Sequence, residues 1–455
     1  MNIFLFLSCF IALQIGCCLV SRARACKNSS AGSNFGEDYF LSGRNLKFFP
    51  LTMTFVATQL GGGLLLGAAD AAFQYGSSAL LYPLGISVGF IILGCSPGKK
   101  LASSGMSTIP QIFKEVYGSP FLKRIASLLS ISSLFMILTA QIVASDKFFS
   151  GLGLSGKWFL FLFWIVVLGY TTLGGFRAVV RTDILQAIFL IAAVIFCIGA
   201  VIVKNDFGVA NVPVLSSSGI PYGKLWGWLF MPLIFMFIEQ DMGQRCFAAV
   251  SPEVLKKSAI TAGIITMSFS CFPILIGLVA SQTAIFVSPG QSVLMIAVGA
   301  LTNPAVAGVM ACAVAVAIMS TADSLLSSVC SLINEEFIRE TSSSKKIWLI
   351  ITPFIAVAAV LTAYCFDDIV EVLILSYGLS VTALGVPILA ALFFPKKYSS
   401  ASAFGGVIVG GITFIALKLF PCTYLPSEVT ALLFSLFGFI VFGFFSGKRM
   451  LSDAR

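Results

Sequence analysis

Long apolar runs, separated by short polar stretches, repeat along almost the whole sequence. A run of about 20 apolar residues is long enough to cross the hydrocarbon core of a bilayer as an α-helix. The pattern therefore predicts an all-α integral membrane protein with about 13 transmembrane helices, in which residues 1–455 form a single membrane domain. The predicted spans, numbered 1 to 13, cover residues 3–20, 47–72, 78–96, 122–146, 157–174, 183–203, 225–240, 258–286, 304–333, 347–366, 368–394, 401–420 and 427–447.

The composition agrees with this pattern. Of the 455 residues, 58% are apolar and 10% are charged, against about 45–50% and about 25% in soluble domains. Histidine is absent, which excludes a histidine proton relay, a histidine-ligated metal and a Ser-His-Asp triad. The twelve cysteines form no CxxC pair and fall mostly in apolar runs, so we expect them to be reduced and structural.

The positive charges follow a topological pattern. Loops that bring Lys and Arg together are typical of the cytoplasmic side, and an odd number of spans then places the N-terminus outside and the C-terminus in the cytoplasm. The net charge of +9 is therefore read as a topology signal, and no nucleic-acid partner is predicted. Among the 28 Lys and Arg residues, those that fall on the opposite side are Lys147, Lys157, Lys204, Lys224 and Lys418.

The location follows from the same signals. We expect a multi-pass protein of the cell's inner (plasma) membrane, with the lipid bilayer as its surroundings. Span 1 has the alternative of a cleaved signal peptide. No Lys or Arg precedes its apolar run, whereas Arg22 and Arg24 follow it, and this order favours a retained span.

Span 2 is interrupted by the sequence from Ala57 to Gly63, which ends in three consecutive glycines. Such a stretch indicates a broken helix, whose free carbonyl oxygens can coordinate a small cation and whose half-helix ends can face a solute. The alternative is a glycine patch for close helix packing.

Span 9 becomes rich in hydroxyl groups at Ser320 and Thr321. Ala317 precedes them by three and four residues, so its carbonyl lies on the same helix face as both hydroxyls. Hard oxygen ligands of this kind suit Na⁺, with the missing ligands supplied by another broken helix such as span 2. Ordinary helix–helix hydrogen bonding is the alternative.

Other polar groups lie near span ends. Asp183 opens span 6, where we expect a helix N-terminal carboxylate that is stabilised by the helix dipole and by Arg177 or Arg181. The stretch from Phe237 to Arg245 closes span 7 with two carboxylates and two amides, which is too polar for contact with lipid. Asp70 is expected at a solvated outer rim.

Together these stretches resemble the sodium:solute symporter family. The resemblance implies a LeuT-like core of two inverted five-helix repeats, residues 47–203 and 225–394. Residues 1–46 would form a peripheral first span with its cytoplasmic loop, and residues 395–455 the peripheral C-terminal spans. The motifs that carry the resemblance are Asp38 to Arg44, Gly174 to Val179, Thr182 to Gln186, Gln244-Arg245 and Met319 to Ser324.

The resemblance also implies roles for particular residues. The family's sodium site falls on the carbonyls of Ala57, Leu60 and Ala317 and on the hydroxyls of Ser320 and Thr321. Arg44 matches a position implicated in coupling. Asp183 matches an acidic position near a cytoplasmic ion exit and, in some members, near an extra sodium site.

The solute is expected at the polar interruptions of spans 2 and 7. Gln59 stands where the proline-transporting branch has an aspartate, and Phe235 stands near the inner-gate position where the sugar branch has a tyrosine. Both departures weaken a direct assignment to proline or to a sugar. The candidate substrate-binding residues are Thr58, Gln59, Gly61, Phe235, Glu239 and Gln240.

The predicted function is a secondary active symporter that couples Na⁺ influx to uptake of a small organic solute, such as an amino acid like proline or a vitamin. Na⁺ is the coupling ion, no other cofactor is expected, and the protein would act as a monomer and not as an enzyme. The alternatives are an H⁺-coupled transporter or a sugar transporter of the same fold, with Asp183, Glu239 or Asp241 as proton carriers. A channel or a transporter-derived sensor is the alternative of another class.

Overall fold

The computed structural model describes residues 3–22, 39–154, 157–205, 220, 222–283, 285–338, 344–394, 398–420 and 426–452. Within these residues the regular structure is helical, apart from one isolated β-bridge. The helices are α1 (Ile3–Arg22), α2 (Phe48–Gln59), α3 (Ala68–Tyr75), α4 (Leu81–Cys95), α5 (Pro97–Ser103), α6 (Gln111–Glu115), α7 (Pro120–Gly151), α8 (Lys157–Asn205), α9 (Tyr222–Ile238), α10 (Gln240–Ala248), α11 (Pro252–Gln282), α12 (Val293–Leu301), α13 (Pro304–Ile333), α14 (Ser344–Ala363), α15 (Ile369–Ser380), α16 (Val386–Phe393), α17 (Ser400–Leu419) and α18 (Ser427–Ser452).

Each predicted apolar run is largely helical. Eight helical stretches among the described residues are long and apolar enough to cross a membrane. Shorter apolar helices occupy the positions of spans 1, 5, 7 and 10. The all-helical membrane class is confirmed, and the total of 13 crossings stays a prediction.

The largest differences from the expected boundaries lie at span 7 and after span 8. Helix α9 ends at Ile238, and a second helix, α10, begins at Gln240 and continues to Ala248 with all its residues buried. A short helix, α12, also follows span 8. It escaped prediction because its nine residues are too few to cross a bilayer.

Spans 5 and 6 meet at a sharp bend inside α8. Gly175 has φ 61° and ψ −177°, which interrupts the helical backbone. A Cβ atom there would lie 2.8 Å from the Tyr39 ring. Glycine is required because an L side chain would meet both an unfavourable dihedral angle and this ring.

The buried centre of the molecule is α13. It packs against α7, α8, α2 and α1, and nearly all its residues from Val306 to Leu332 are buried. Small side chains make this possible, because alanine, glycine and serine let neighbouring helices approach closely. The polar groups of α13 therefore face other helices, where they can serve a site.

Candidate functional site

The first element of the site is the break between α2 and α3. Helix α2 ends at Gln59, and the next residue, Leu60, leaves the helical range with a ψ of 47°. A π-helical turn, Gly63–Gly67, follows the break and leads into α3. A Cβ atom on Gly61 would lie 2.1 Å from Thr321 Oγ1, and one on Gly62 would lie 2.5 Å from Ala144 Cβ. The glycines thus both break the helix and bring it close to α7 and α13.

Oxygen atoms of α2 and α13 converge beside this break. Ser320 Oγ lies 3.0 Å from the carbonyl oxygen of Ala57 and 2.9 Å from that of Ala317. Thr321 Oγ1 lies 3.2 Å from the same Ala317 oxygen and 2.9 Å from the Thr58 carbonyl. Leu60, the fifth predicted sodium ligand, is the buried residue at the helix end. Uncharged carbonyl and hydroxyl oxygens of this kind are the ligands that a broken helix can offer to Na⁺.

The second break lies between α9 and α10. Glu239 separates the two helices with an extended backbone, φ −96° and ψ 150°. Glu239, Gln240, Asp241, Gln244 and Arg245 are all buried. The polar stretch that was predicted to close span 7 therefore lies inside the helix bundle.

Asp183 does not occupy the predicted position. It lies eight residues beyond the Gly175 bend, within the second half of α8, and its side chain is completely buried. Its Oδ2 atom accepts a hydrogen bond from Thr54 and lies 3.5 Å from Arg245 Nη2. The expectation of a helix N-terminal carboxylate is wrong, and the arginine whose ion pair with Asp183 the structure records is Arg245.

Arg245 is the functional candidate that the sequence prediction missed. The count of loop charges placed it in a cytoplasmic loop, but it is fully buried. The motif Gln244-Arg245, directly after the polar stretch of span 7, was the available signal. We call the residues that meet here the Arg245 cluster: Arg245, Asp183, Thr54, Thr58 and Ser324.

The guanidinium group of Arg245 connects several helices. Nε donates to Thr54 Oγ1 at 3.1 Å, and Nη1 donates to the Asp241 carbonyl at 2.9 Å. Nη2 donates to Ser324 Oγ at 2.7 Å and also to Thr58 Oγ1. Its carbon Cζ lies 5.6 Å from the centre of the Phe176 ring. The cluster thus ties α10 to α2, α8 and α13.

Some buried polar atoms at or near the Arg245 cluster have no hydrogen-bond partner within the part of the chain that the structure describes. They are Asp183 Oδ1 and both amide atoms of Gln186, which lies three residues further along α8 and hence on the same helix face. Buried polar groups are normally satisfied by protein or by water. Asp183 Oδ1 and the Gln186 amide therefore keep hydrogen-bonding capacity that the described side chains and backbone do not use.

The candidate substrate residues do not converge on one point. Thr58 Oγ1 lies 3.0 Å from Ser324 Oγ and belongs to the Arg245 cluster. Gln59 Nε2 lies 3.8 Å from Met242 Sδ. Gln240 faces away from both, because its amide contacts the Ile109 amide and the Ser107 carbonyl. Gly61 packs on Thr321, as described above.

Phe235 and Glu239 do face a common element, α15. The Phe235 ring centre lies 4.3 Å from that of Tyr377. Glu239 Oε2 accepts a hydrogen bond of 2.8 Å from Ser380 Oγ. These two of the six candidates therefore share one interface.

Arg44 lies at the end of the bundle that holds Ala249. Its φ of 52° is in the left-handed region, and its guanidinium donates to the carbonyls of Gly105, Met106 and Phe247 at 2.9, 3.0 and 3.4 Å. Next to it, Leu46 forms the isolated bridge with Ala249. Arg44 thus joins the approach to α2 with the end of α10.

Asp70 contradicts the expectation of a solvated rim. Its side chain is buried and pairs with Lys147, with 3.0 Å between Oδ2 and Nζ. Its Oδ1 atom accepts a hydrogen bond from the first amide of α12, that of Val293, at 3.1 Å. Asp70 therefore connects α3 with α7 and α12.

Comparison with known proteins agrees with this architecture. A family model described as "Sodium:solute symporter family" matches residues 39–218. The sodium/proline symporter of Escherichia coli (strain K12) is 27% identical over 446 residues, which cover 89% of this chain and 87% of that protein. High-affinity choline transporter 1 of Caenorhabditis elegans is 24% identical over 88% of this chain and 77% of that protein.

Solved structures share the fold. A Na⁺-coupled sialic acid symporter in a substrate-bound outward-open state superimposes with a TM-score of 0.76 at 17% identity, with 96% of each chain covered. A nucleobase-cation-symport-1 family transporter in a closed conformation gives a TM-score of 0.62 at 15% identity, over 88% of this chain and 94% of that one.

The chain therefore has the helical fold of these solved structures, with apolar helices long enough to cross a membrane and with two broken helices. Within that fold, the predicted resemblance to the sodium:solute symporter family is confirmed. The relatives are transporters and not enzymes, as predicted.

Proposed function

We propose that the chain is a secondary active symporter that couples Na⁺ influx to uptake of a small organic solute. The observation that carries the proposal is the convergence of Ala57, Ala317, Ser320 and Thr321 oxygens at the break of α2. In this proposal the Leu60 carbonyl completes the ion's ligands. Na⁺ is transported cargo here, and its entry ties α2 to α13.

The relatives support coupling to Na⁺ and a small solute. Their names include sodium/proline symporters and a sodium/pantothenate symporter. An amino acid or a vitamin is therefore the coarse substrate class, and each ligand would raise the affinity of the other by the same factor.

The proposed arrangement in the membrane has thirteen spans with the N-terminus outside, the C-terminus in the cytoplasm, and a functional monomer in the plasma (inner) membrane. Its two inverted repeats are residues 47–203 and 225–394. In support, the first helix of each repeat is broken, at Leu60 and at Glu239, as expected for transporters built from inverted repeats.

The Arg245 cluster would lie on the route by which the ion leaves. Asp183, whose Oδ1 atom has no partner among the described residues, can bind a departing cation transiently. Arg245 offsets part of the negative charge of Asp183, which keeps this binding weak. Arg44 would hold the cytoplasmic end closed through its carbonyl contacts. Release of both ligands then requires these contacts to separate.

Thermal unfolding of the purified protein tests the proposal. Amino acids, vitamins, sugars and carboxylates are screened in NaCl and in KCl at the same concentration. A ligand that binds the folded state raises the unfolding temperature. We expect a solute whose effect requires Na⁺, and a panel in which Na⁺ changes nothing would refute symport with Na⁺.

Proton coupling is a second candidate because Asp183 and Glu239 each have an unpartnered, buried carboxylate oxygen. Buried carboxylates can carry protons in transporters. Uptake into proteoliposomes that responds to a pH gradient, and not to a Na⁺ gradient, would favour this candidate.

A further inference from the structure

Glu239 is a buried carboxylate whose charge has no cationic partner. Its side chain is fully buried. Oε2 accepts a hydrogen bond from the Ser380 hydroxyl, and Oε1 has no hydrogen-bond partner among the described residues. No Lys or Arg of the described residues forms an ion pair with it. An isolated buried charge of this kind is costly unless a cation or a proton neutralises it.

The elements around Glu239 offer no such cation. From α15 it meets the Ser380 hydroxyl, and from α7 it faces the hydroxyl of Ser130, which is likewise uncharged. Along its own chain the next charged group is Asp241, another carboxylate. The surroundings therefore add negative charge rather than offset it.

The nearby arginine is already engaged. Arg245 donates to Asp241's carbonyl and contacts the Asp183 carboxylate. Asp183, Glu239 and Asp241 are all buried carboxylates, and the one with which Arg245 forms a recorded ion pair is Asp183. The proposed Na⁺ ligands belong to α2 and α13, so a sodium ion there makes no direct contact with the groups that Glu239 touches.

Aromatic rings lie next to this carboxylate. Phe235 is one helical turn before Glu239, and its backbone carbonyl accepts from the Glu239 amide. Tyr377 is one turn before Ser380, and the centres of the Phe235 and Tyr377 rings lie 4.3 Å apart. The Tyr377 hydroxyl in turn lies 3.3 Å from that of Tyr82. Ring faces attract cations, and quaternary ammonium groups are recognised in this way.

We propose that Glu239, beside the Phe235 and Tyr377 rings, binds the ammonium group of a solute that carries a net positive charge. The inference rests on the proposed symport and names its substrate class. Since the two rings contact each other in this structure, the solute enters when α9 and α15 separate at the Glu239 break. The carboxylate neutralises the positive charge of the solute, and the ring faces contact the ammonium group without needing hydrogen bonds from it.

Ligand binding to the purified protein tests this proposal. The probes are choline, its carboxylate analogue betaine, ethanolamine, proline, pantothenate and galactose, each with and without Na⁺. We expect Na⁺-dependent binding of choline or ethanolamine, and weaker binding of betaine because its carboxylate meets Glu239 and Asp241. Glu239→Gln keeps the shape of the side chain and removes its charge, so affinity for the cationic probe should fall about thirtyfold or more.

Matched variants separate a charge effect from misfolding. Glu371→Gln changes an exposed carboxylate of α15 and should leave binding unchanged. Ser380→Ala keeps the charge and should preserve the preference for cations. The thermal unfolding temperature without solute reports whether each variant is folded.

The outcomes distinguish this inference from the proposed function. Na⁺-dependent binding of a neutral or anionic probe, with equal affinity in Glu239→Gln, would overturn the inference and leave symport standing. Unchanged affinity with a lost pH dependence of uptake would make Glu239 a proton site, which also overturns it. If Na⁺ affects no probe in the unmodified protein, the proposed symport itself fails.

Discussion

Arg245 and Asp183 face each other inside the bundle, with 3.5 Å between Nη2 and Oδ2 and no exposure of either side chain. The pair joins the second broken helix, α10, to the second half of α8. Breaking such a buried pair by removing one partner leaves an uncompensated charge. The loss of stability on replacing one residue is therefore expected to depend on whether the other is still charged.

Replacing Arg245 alone should be severely destabilising. Arg245→Met leaves Asp183 without its guanidinium partner, and the expected cost is about 3–5 kcal/mol of unfolding free energy. The double variant Arg245→Met with Asp183→Asn removes both charges and should recover part of that loss. Denaturation of the purified variants in detergent measures both values. Equal or greater damage in the double variant would show that the two charges are not coupled.

The hydroxyl pair of α13 should be required for the response to Na⁺. Ser320→Ala with Thr321→Ala removes two of the five proposed ligands, and we expect Na⁺-stimulated uptake to be abolished while folded protein remains in the membrane. Ser331→Ala, on the same helix and buried, is the control and should keep the response. An unchanged Na⁺ dependence in the double variant would refute the site.

The close approach at Gly61 should not tolerate a methyl group. Gly61→Ala places Cβ 2.1 Å from Thr321 Oγ1, so the helices must shift at a cost of about 1–3 kcal/mol. We expect lower thermal stability and weaker Na⁺ binding. Gly199→Ala on α8 meets no heavy atom within 4 Å and should be neutral. Equal behaviour of the two variants would contradict the packing at the break.

Asp70 should hold the start of α12. Asp70→Asn weakens the bonds to Lys147 and to the Val293 amide, and hydrogen exchange at the start of α12 should accelerate about tenfold or more. Glu253→Gln breaks the exposed ion pair with Lys99 and should change exchange little, since exposed pairs contribute little. If hydrogen exchange at the start of α12 is equally slow in Asp70→Asn and in the unmodified protein, Asp70 does not have this role.

Features that leave a strong local signal were predictable from the sequence. The apolar runs located the helices, and span 9 matches α13 in its bounds because Asn303 caps the helix and Pro304 begins it. The break of α2 followed from three consecutive glycines. These features depend on local chemistry, which a sequence records directly.

Features that depend on tertiary contacts were not predictable in the same way. The break at Glu239 has no adjacent glycine or proline, so only its polarity and the family resemblance indicated it. Arg245 looked like a loop charge because its partners Asp183, Thr54 and Ser324 are remote in the sequence. The direction of the Thr58 side chain, toward Arg245, is likewise decided by helix packing.

The bridge between Leu46 and Ala249 has a mechanical consequence. The Leu46 amide donates to the Ala248 carbonyl, and the Leu46 carbonyl accepts from the Val250 amide, both at 3.0 Å. These bonds fasten the lead-in to α2 to the tail of α10, so the two interrupted helices share one anchor at this end. Because these are main-chain bonds, a change of side chain at Leu46 or Val250 leaves the donating amides in place unless the new residue is proline. A displacement of one interrupted helix at this end is therefore expected to move the other as well.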